Sequence, residues 1–160
     1  MSELKELMLR EPRRTLAVAE SLTCGNVQAY IGRISGASEF FLGGITAYTL
    51  EQKVKLLGVN RVEAEKVNCV SAEIAEQMAR GAVSSFDADL ALATTGYAEP
   101  SEEHDVAVPF AWWALAQRDG GTWSVQSHRV ECPEANRVGV QAAITFAAIT
   151  GLLEHLRSRK

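Results

Sequence analysis

The chain has 160 residues, of which 47% are hydrophobic and 22% charged, and a formal net charge of −4. Length and composition suit one domain over residues 1–160 with a normal buried core, and they exclude a disordered chain. An acidic balance without any basic stretch interleaved with aromatics argues against a nucleic-acid partner.

In chain order, MSELKELMLREPRRT is charged and lacks the apolar core of a secretory signal. TLAVAE, Thr15 to Glu20, predicts a short buried strand, after which Val27, Tyr30, Ile31 and Ile34 recur at helical spacing. GGITAY, Gly43 to Tyr48, predicts a second strand. In TLEQKVKLLG, Thr49 followed by Gln52 is a capping-box pattern and Gly58 a stop. Ser71 caps a further helix with Ile74, Met78, Ala82 and Phe86 as its apolar stripe. DLALATTG, Asp89 to Gly96, predicts a buried strand ending in hydroxyls and glycine. FAWWALAQ and TWSVQSHRV read as a strand pair joined at RDGG. A long helix is expected from about Asn136 to Arg157, apolar on most faces and packed across a sheet. Its apolar run, Ala142 to Leu153, is interrupted by Thr145, Thr150 and Gly151 and is expected to be too short for a bilayer, so no membrane is expected. Cys24, Cys69 and Cys132 are an odd count without metal-ligand spacing. They point to a reduced, cytoplasmic protein without a metal, with Cys69 and Cys132 as small buried hydrophobes.

Strands alternating with helices, then a hairpin, predict an α/β fold with a mixed sheet covered by helices on both faces. Ligands of such folds gather at the carboxyl ends of strands. Three polar clusters fall there: Ser21 to Gly25, Tyr48 to Lys53, and Thr94 to Gly96. A serine hydroxyl needs a base before it becomes a nucleophile. His104, His128 and His155 all read as solvated surface residues, which disfavours a Ser-His-Asp triad. Lys53 is the alternative base. The positive end of its helix and partial burial would both disfavour its ammonium form. Tyr48 would relay a proton or orient the lysine, and backbone amides after Ser21 would hold an oxyanion or a phosphate. On spacing alone, a solvated helix lysine like Lys55 is the better reading of Lys53.

The motifs go further. AESLTCG resembles the AESCTGG motif of the CinA C-terminal domain family, whose active members are nicotinamide-nucleotide amidohydrolases. GASEFFLGGITAYTLEQKVKLLGV is similar to that family's segment with a tyrosine, Ser-Asn, and a lysine five residues after the tyrosine. VSAEIAEQMARGA matches its next helix, and DLALATTGYAEP resembles its TGIAGP strand and loop. The resemblance covers Thr15 to about Pro100 well and the hairpin and last helix loosely. It implies a three-layer α/β/α sandwich with a mixed central sheet. It also implies hydrolysis of the carboxamide of nicotinamide mononucleotide to nicotinate mononucleotide and ammonia, without metal or cofactor. Carried over by position, Ser21 is the nucleophile, Lys53 its base and Tyr48 the proton-transfer assistant. Thr95 lies in the substrate pocket, and Thr23, Gly25, Gly96 and Arg137 complete the expected substrate contacts. A small-molecule amide or nucleotide substrate and a homo-oligomer are expected, without the separate N-terminal domain that some members carry.

The chain also departs from the family pattern. Leu22 replaces a cysteine, Cys24 a glycine and Leu50 an asparagine. Tyr97 and Glu99 alter TGIAGP, SEEHDVAV shortens a glycine-rich stretch, and Pro109 and Phe110 stand for Gly-Thr. CPEANR replaces a Gly-Asp-Arg motif, leaving Arg137 to stand in for its arginine, whose forked donors suit a phosphate. Cys24 is expected to crowd backbone approach to a ligand, Glu99 to repel a phosphate, and Pro109 and Phe110 to add bulk. These changes favour an alternative reading, a catalytically weak or silent homologue acting as a ligand-binding or structural module.

Overall fold

The computed structural model describes residues 2–159. The elements run α1 (Glu3–Leu9), β1 (Leu16–Glu20), α2 (Asn26–Gly32), β2 (Phe41–Thr46), α3 (Leu50–Leu57), α4 (Arg61–Lys66) and α5 (Ala72–Phe86). They continue with β3 (Leu90–Tyr97), β4 (Phe110–Asp119), β5 (Thr122–Glu131) and α6 (Arg137–Ser158). The five strands form one mixed sheet in the order β2-β1-β3-β4-β5. Strand β1 is parallel to both β2 and β3, whereas β4 is antiparallel to β3 and β5. Helices cover both faces, which makes the expected three-layer α/β/α sandwich.

Alternation along the strands assigns the two faces, because successive side chains point to opposite sides. Ala17, Ala19, Ala91, Ala93, Ala114 and Ala116 face α5, whose Ile74, Met78, Ala82 and Val83 lie over them. Leu16, Val18, Leu90, Leu92, Trp113 and Leu115 face the other layer, built from α1, α2 and α6. Burial on both faces explains why β1 and β3 read as continuous apolar runs. The predicted caps hold. Thr49 and Ser71 accept hydrogen bonds from the amides of Gln52 and Ile74, and Gly58 ends α3 at φ 67°. Asn136 likewise caps α6 by accepting from Gly139 N.

The structure differs from expectation in three places. Strand β2 begins at Phe41 and ends at Thr46, so Tyr48 lies beyond it in the approach to α3. Helices α1 and α4 are not among the expected elements; α1 buries only Leu4 and Met8, and α4 only Ala64. Helix α6 packs across the sheet as expected but leaves two of its apolar residues, Val138 and Phe146, each 71% exposed. At 22 residues α6 is also long and apolar enough to cross a bilayer by length and composition, contrary to the expectation of too short a run. In this fold, its Ile149, Leu152 and Leu156 pack on the sheet with Leu90, Leu92 and Leu115.

Candidate active site

All three predicted clusters meet at the carboxyl ends of β1, β2 and β3, where register pairs Glu20 with both Thr46 and Thr94. They line a cleft of about 440 Å³ that includes Ser21, Tyr48, Lys53, Thr95, Gly96, Glu99 and Arg137.

Ser21 is the first residue after β1, and its amide donates to the Thr94 carbonyl at 3.1 Å. The chain turns sharply behind it through Cys24 at φ 47° and Gly25 at φ 95°, and α2 starts at Asn26. Gln141 Nε2 on α6 donates to Leu22 O at 2.9 Å, and the Leu22 side chain packs with Val140 and Ile144 of the same helix. Thus α6 holds the turn from outside.

Lys53 projects from the first turn of α3 and is only 2% exposed. Its Nζ donates to Ser21 Oγ at 2.9 Å and to the Tyr48 carbonyl at 3.2 Å. Burial holds its pKa below the ordinary lysine value, with an opposing smaller influence from the neighbouring Cys69. The solvated-lysine reading therefore fails: tertiary packing, which spacing along α3 does not encode, encloses the amine.

The other candidate residues divide. Thr95 lies on the α5 side of β3, where its hydroxyl donates to the Cys69 carbonyl at 2.7 Å. Gly96 sits where a Cβ would collide with Ala111 and the Phe110 carbonyl of β4, so a glycine is needed for the strands to approach. Tyr48 borders the cleft and is 52% exposed, but its hydroxyl meets Arg137 Nη1 at 3.4 Å. The Tyr48 contact to Lys53 is through its carbonyl rather than its phenol. Arg137 opens α6 and also donates through Nη2 to Glu99 Oε2 at 2.7 Å. That pairing holds the Glu99 carboxyl below the usual range.

Thr23 and Gly25 do not line this cleft. Thr23 is fully buried, with its hydroxyl 2.7 Å from both Glu20 Oε1 and Thr94 Oγ1. Strand parity sends Glu20 and Thr94 to the face opposite Lys53, and Thr23 turns back to join them. Gly25 serves the αL entry into α2. Pro109 and Phe110 also fall outside it. Phe110 packs on Tyr97 with ring centroids 5.6 Å apart, beneath the Arg129 guanidinium. Cys69 is half-buried in the cleft wall rather than a core residue; burial raises its thiol pKa and Lys53 partly offsets that rise. Cys132 is buried and Cys24 exposed. His155 is not a solvated residue either: its Nε2 lies 2.8 Å from Gln117 Oε1, and burial lowers its pKa. Among the described residues no group of three or more His, Cys, Asp or Glu is placed to hold a metal ion.

Motif and spacing assign Glu20 no role of its own. It is fully buried and accepts from the Thr23 hydroxyl, from the amides of Val27 and Gln28, and from Gln28 Nε2, at 2.7–3.1 Å. The available signal was an acid ending a strand otherwise made only of apolar residues.

Comparison with known proteins agrees with this architecture. Residues 1–156 match the family model of the CinA C-terminal domain. A CinA-like protein of Picosynechococcus sp. is 38% identical over 154 residues, covering 96% of this chain and 36% of that protein. One from Geobacter sp. is 35% identical over 160 residues, 100% of this chain and 38% of that protein. The chain thus spans little more than a third of the length of these curated relatives. Among solved structures, the competence/damage inducible protein CihA from Agrobacterium tumefaciens superposes with a TM-score of 0.83 at 26% identity, over 99% of this chain and 98% of the other. On the matched residues, the strand order and the motifs around Ser21 and Lys53, the chain belongs to the CinA C-terminal domain family.

Proposed function

We propose that this domain is an amidohydrolase of the nicotinamide mononucleotide deamidase type, converting a carboxamide to a carboxylate and ammonia through Ser21 and Lys53. The observation that carries the reading is the buried Lys53 amine 2.9 Å from the Ser21 hydroxyl, in the wall of an open cleft. Neutral Lys53 takes the Ser21 proton as Oγ attacks the carboxamide carbon. The amides of Ser21 and Cys24 are committed to Thr94 O and Ser21 O, which leaves that of Leu22, a residue of the cleft wall, to stabilise the oxyanion. The lysine ammonium then protonates the leaving nitrogen, ammonia departs, and Ser21 carries an acyl ester. A water, deprotonated by the same lysine, attacks the ester; the product carboxylate leaves and Ser21 recovers its proton.

The test is ammonia release from nicotinamide mononucleotide and a panel of other carboxamides. Ser21→Ala and Lys53→Ala should each lower turnover by about 10³-fold or more, and the double variant should be little worse than either, because the pair acts as a unit. Additive losses would show that the two do not share a step. A second reading, a ligand-binding module without turnover, is favoured by the Arg137–Glu99 pair at the cleft mouth and by Leu50 in its wall. Ligand binding without ammonia release from any amide would select it.

A further inference from the structure

We infer that Glu99 is a built-in anion for Arg137, and that the cleft therefore selects carboxamides lacking a phosphate monoester, neutral or cationic ones above all. The inference rests on reading the cleft as an amide-hydrolysing site. Three elements converge at its mouth: Tyr48 from the approach to α3, Glu99 from the loop after β3, and Arg137 from the first position of α6. Arg137 spends one terminal nitrogen on Glu99 at 2.7 Å and the other on the Tyr48 hydroxyl at 3.4 Å. Its fork is occupied from both sides by the protein itself. The other basic residue of the wall, Lys53, is bonded to Ser21 and held away from its charged form by burial. Among the described residues, the mouth thus offers an incoming anion no uncommitted cation.

A phosphate monoester carries a charge of about −2 at neutral pH. To reach Arg137 it must displace the Glu99 carboxylate or bind beside it. The ion pair is half-exposed on both sides, so breaking it costs little. The larger obstacle is the carboxylate that stays within a few ångströms of the phosphate. Arg137 keeps Glu99 ionised by lowering its pKa, so this obstacle persists across the neutral range. A neutral or cationic carboxamide escapes that repulsion, and a cationic one gains from the Glu99 carboxylate at the mouth. Specificity of this kind is set by a repulsive element as much as by an attractive one.

The test separates selectivity from turnover. In a Ser21→Ala background, calorimetry at low salt compares nicotinamide mononucleotide with nicotinamide riboside, which differ by the phosphate alone. The riboside should bind about tenfold more tightly, a difference that shrinks with added salt. Glu99→Gln should shift the ratio by about tenfold towards the mononucleotide, and Arg137→Gln placed on top should cancel that shift. Equal or tighter binding of the mononucleotide with Glu99 present would overturn the inference, as would a ratio that Glu99→Gln leaves unchanged. If the Ser21 enzyme releases ammonia while either of those results holds, the inference alone falls. If neither ligand binds and no amide is hydrolysed, the amide reading falls with it.

Discussion

Four hydrogen bonds converge on the Glu20 carboxylate, and no Lys, Arg or His lies within ion-pair distance of it among the described residues. A buried polar group is tolerated when its hydrogen-bonding capacity is met. Here the donors belong to the turn that carries Ser21, so the carboxylate ties β1, Thr23 and the start of α2 into one unit. Glu20→Ala strands the buried Val27 amide and the part-buried Gln28 amide, while the Thr23 hydroxyl keeps Thr94 Oγ1 as its partner. It should destabilise the fold by about 2–4 kcal/mol, read as a lower denaturant midpoint. Glu20→Gln keeps one acceptor oxygen and should cost less. An unchanged midpoint in the alanine variant would show that the turn holds its shape without the carboxylate. Lys53 makes a prediction in pH. Its folded-state pKa lies below 10.5, so between the two values the unfolded chain binds more protons, and stability rises with pH up to about 10.5 before levelling. Turnover should rise through the same lowered pKa, as the amine becomes a base. A kcat/KM profile that does not fall as the pH is lowered would contradict the assignment. If the buried amine is the proposed base, Lys53→Met should abolish turnover while leaving the thermal midpoint equal or higher.

Helix α3 shows how an element delivers a site residue. Thr49 accepts from Gln52 N at 3.4 Å, Gly58 closes the far end, and Lys53 lies between them. Thr49→Ala should cost about 1 kcal/mol of stability. It should also lower kcat more than it raises KM, since the Lys53 geometry loosens; equal effects on both would mean that the cap only stabilises. Caps, strand runs and the hairpin were legible in the sequence because each is a local pattern with a local cause. Helices α1 and α4 were not, because six or seven residues with one or two buried side chains hardly generate a period. The site was legible in part. Ser21, Lys53 and Thr95 could be named by resemblance, since strand ends gather in this fold class. The burial of Lys53, the turn of Thr23 away from the cleft and the capture of Arg137 by Glu99 depend on tertiary contacts, up to 71 positions apart in the chain, that no spacing rule reports. Resemblance also suggested that Pro109 and Phe110 crowd the substrate. In the structure their strand start lies against Tyr97 and Cys132, outside the cleft.

At the scale of the molecule, the two faces of the sheet are packed by different means. Alanines towards α5 let that helix sit close, while the α6 side fills its space with leucines and Trp113. Gly151 of α6 lies against the six-membered ring of that indole, where an added Cβ would overlap three of its carbons. Trp113 also stacks on His128 of β5, with centroids 4.6 Å apart and planes 20° from parallel. The indole is thus held between helix and edge strand and has little room to give. Helix propensity alone would make Gly151→Ala stabilising by about 1 kcal/mol. Overpacking against a rigid ring costs about 1–3 kcal/mol, so the net effect should be a loss of up to about 2 kcal/mol. Trp113→Phe should remove the clash along with part of the packing, so that Gly151→Ala becomes neutral or stabilising in that background. A double-mutant cycle read by denaturant midpoints would show a coupling of at least about 1 kcal/mol. Because α6 also holds Leu22 through Gln141 and carries Arg137 at its start, Gly151→Ala should lower ammonia release although it lies outside the cleft. Additive stabilities with unaltered turnover would show that α6 shifts freely over the sheet without disturbing the turn at Ser21.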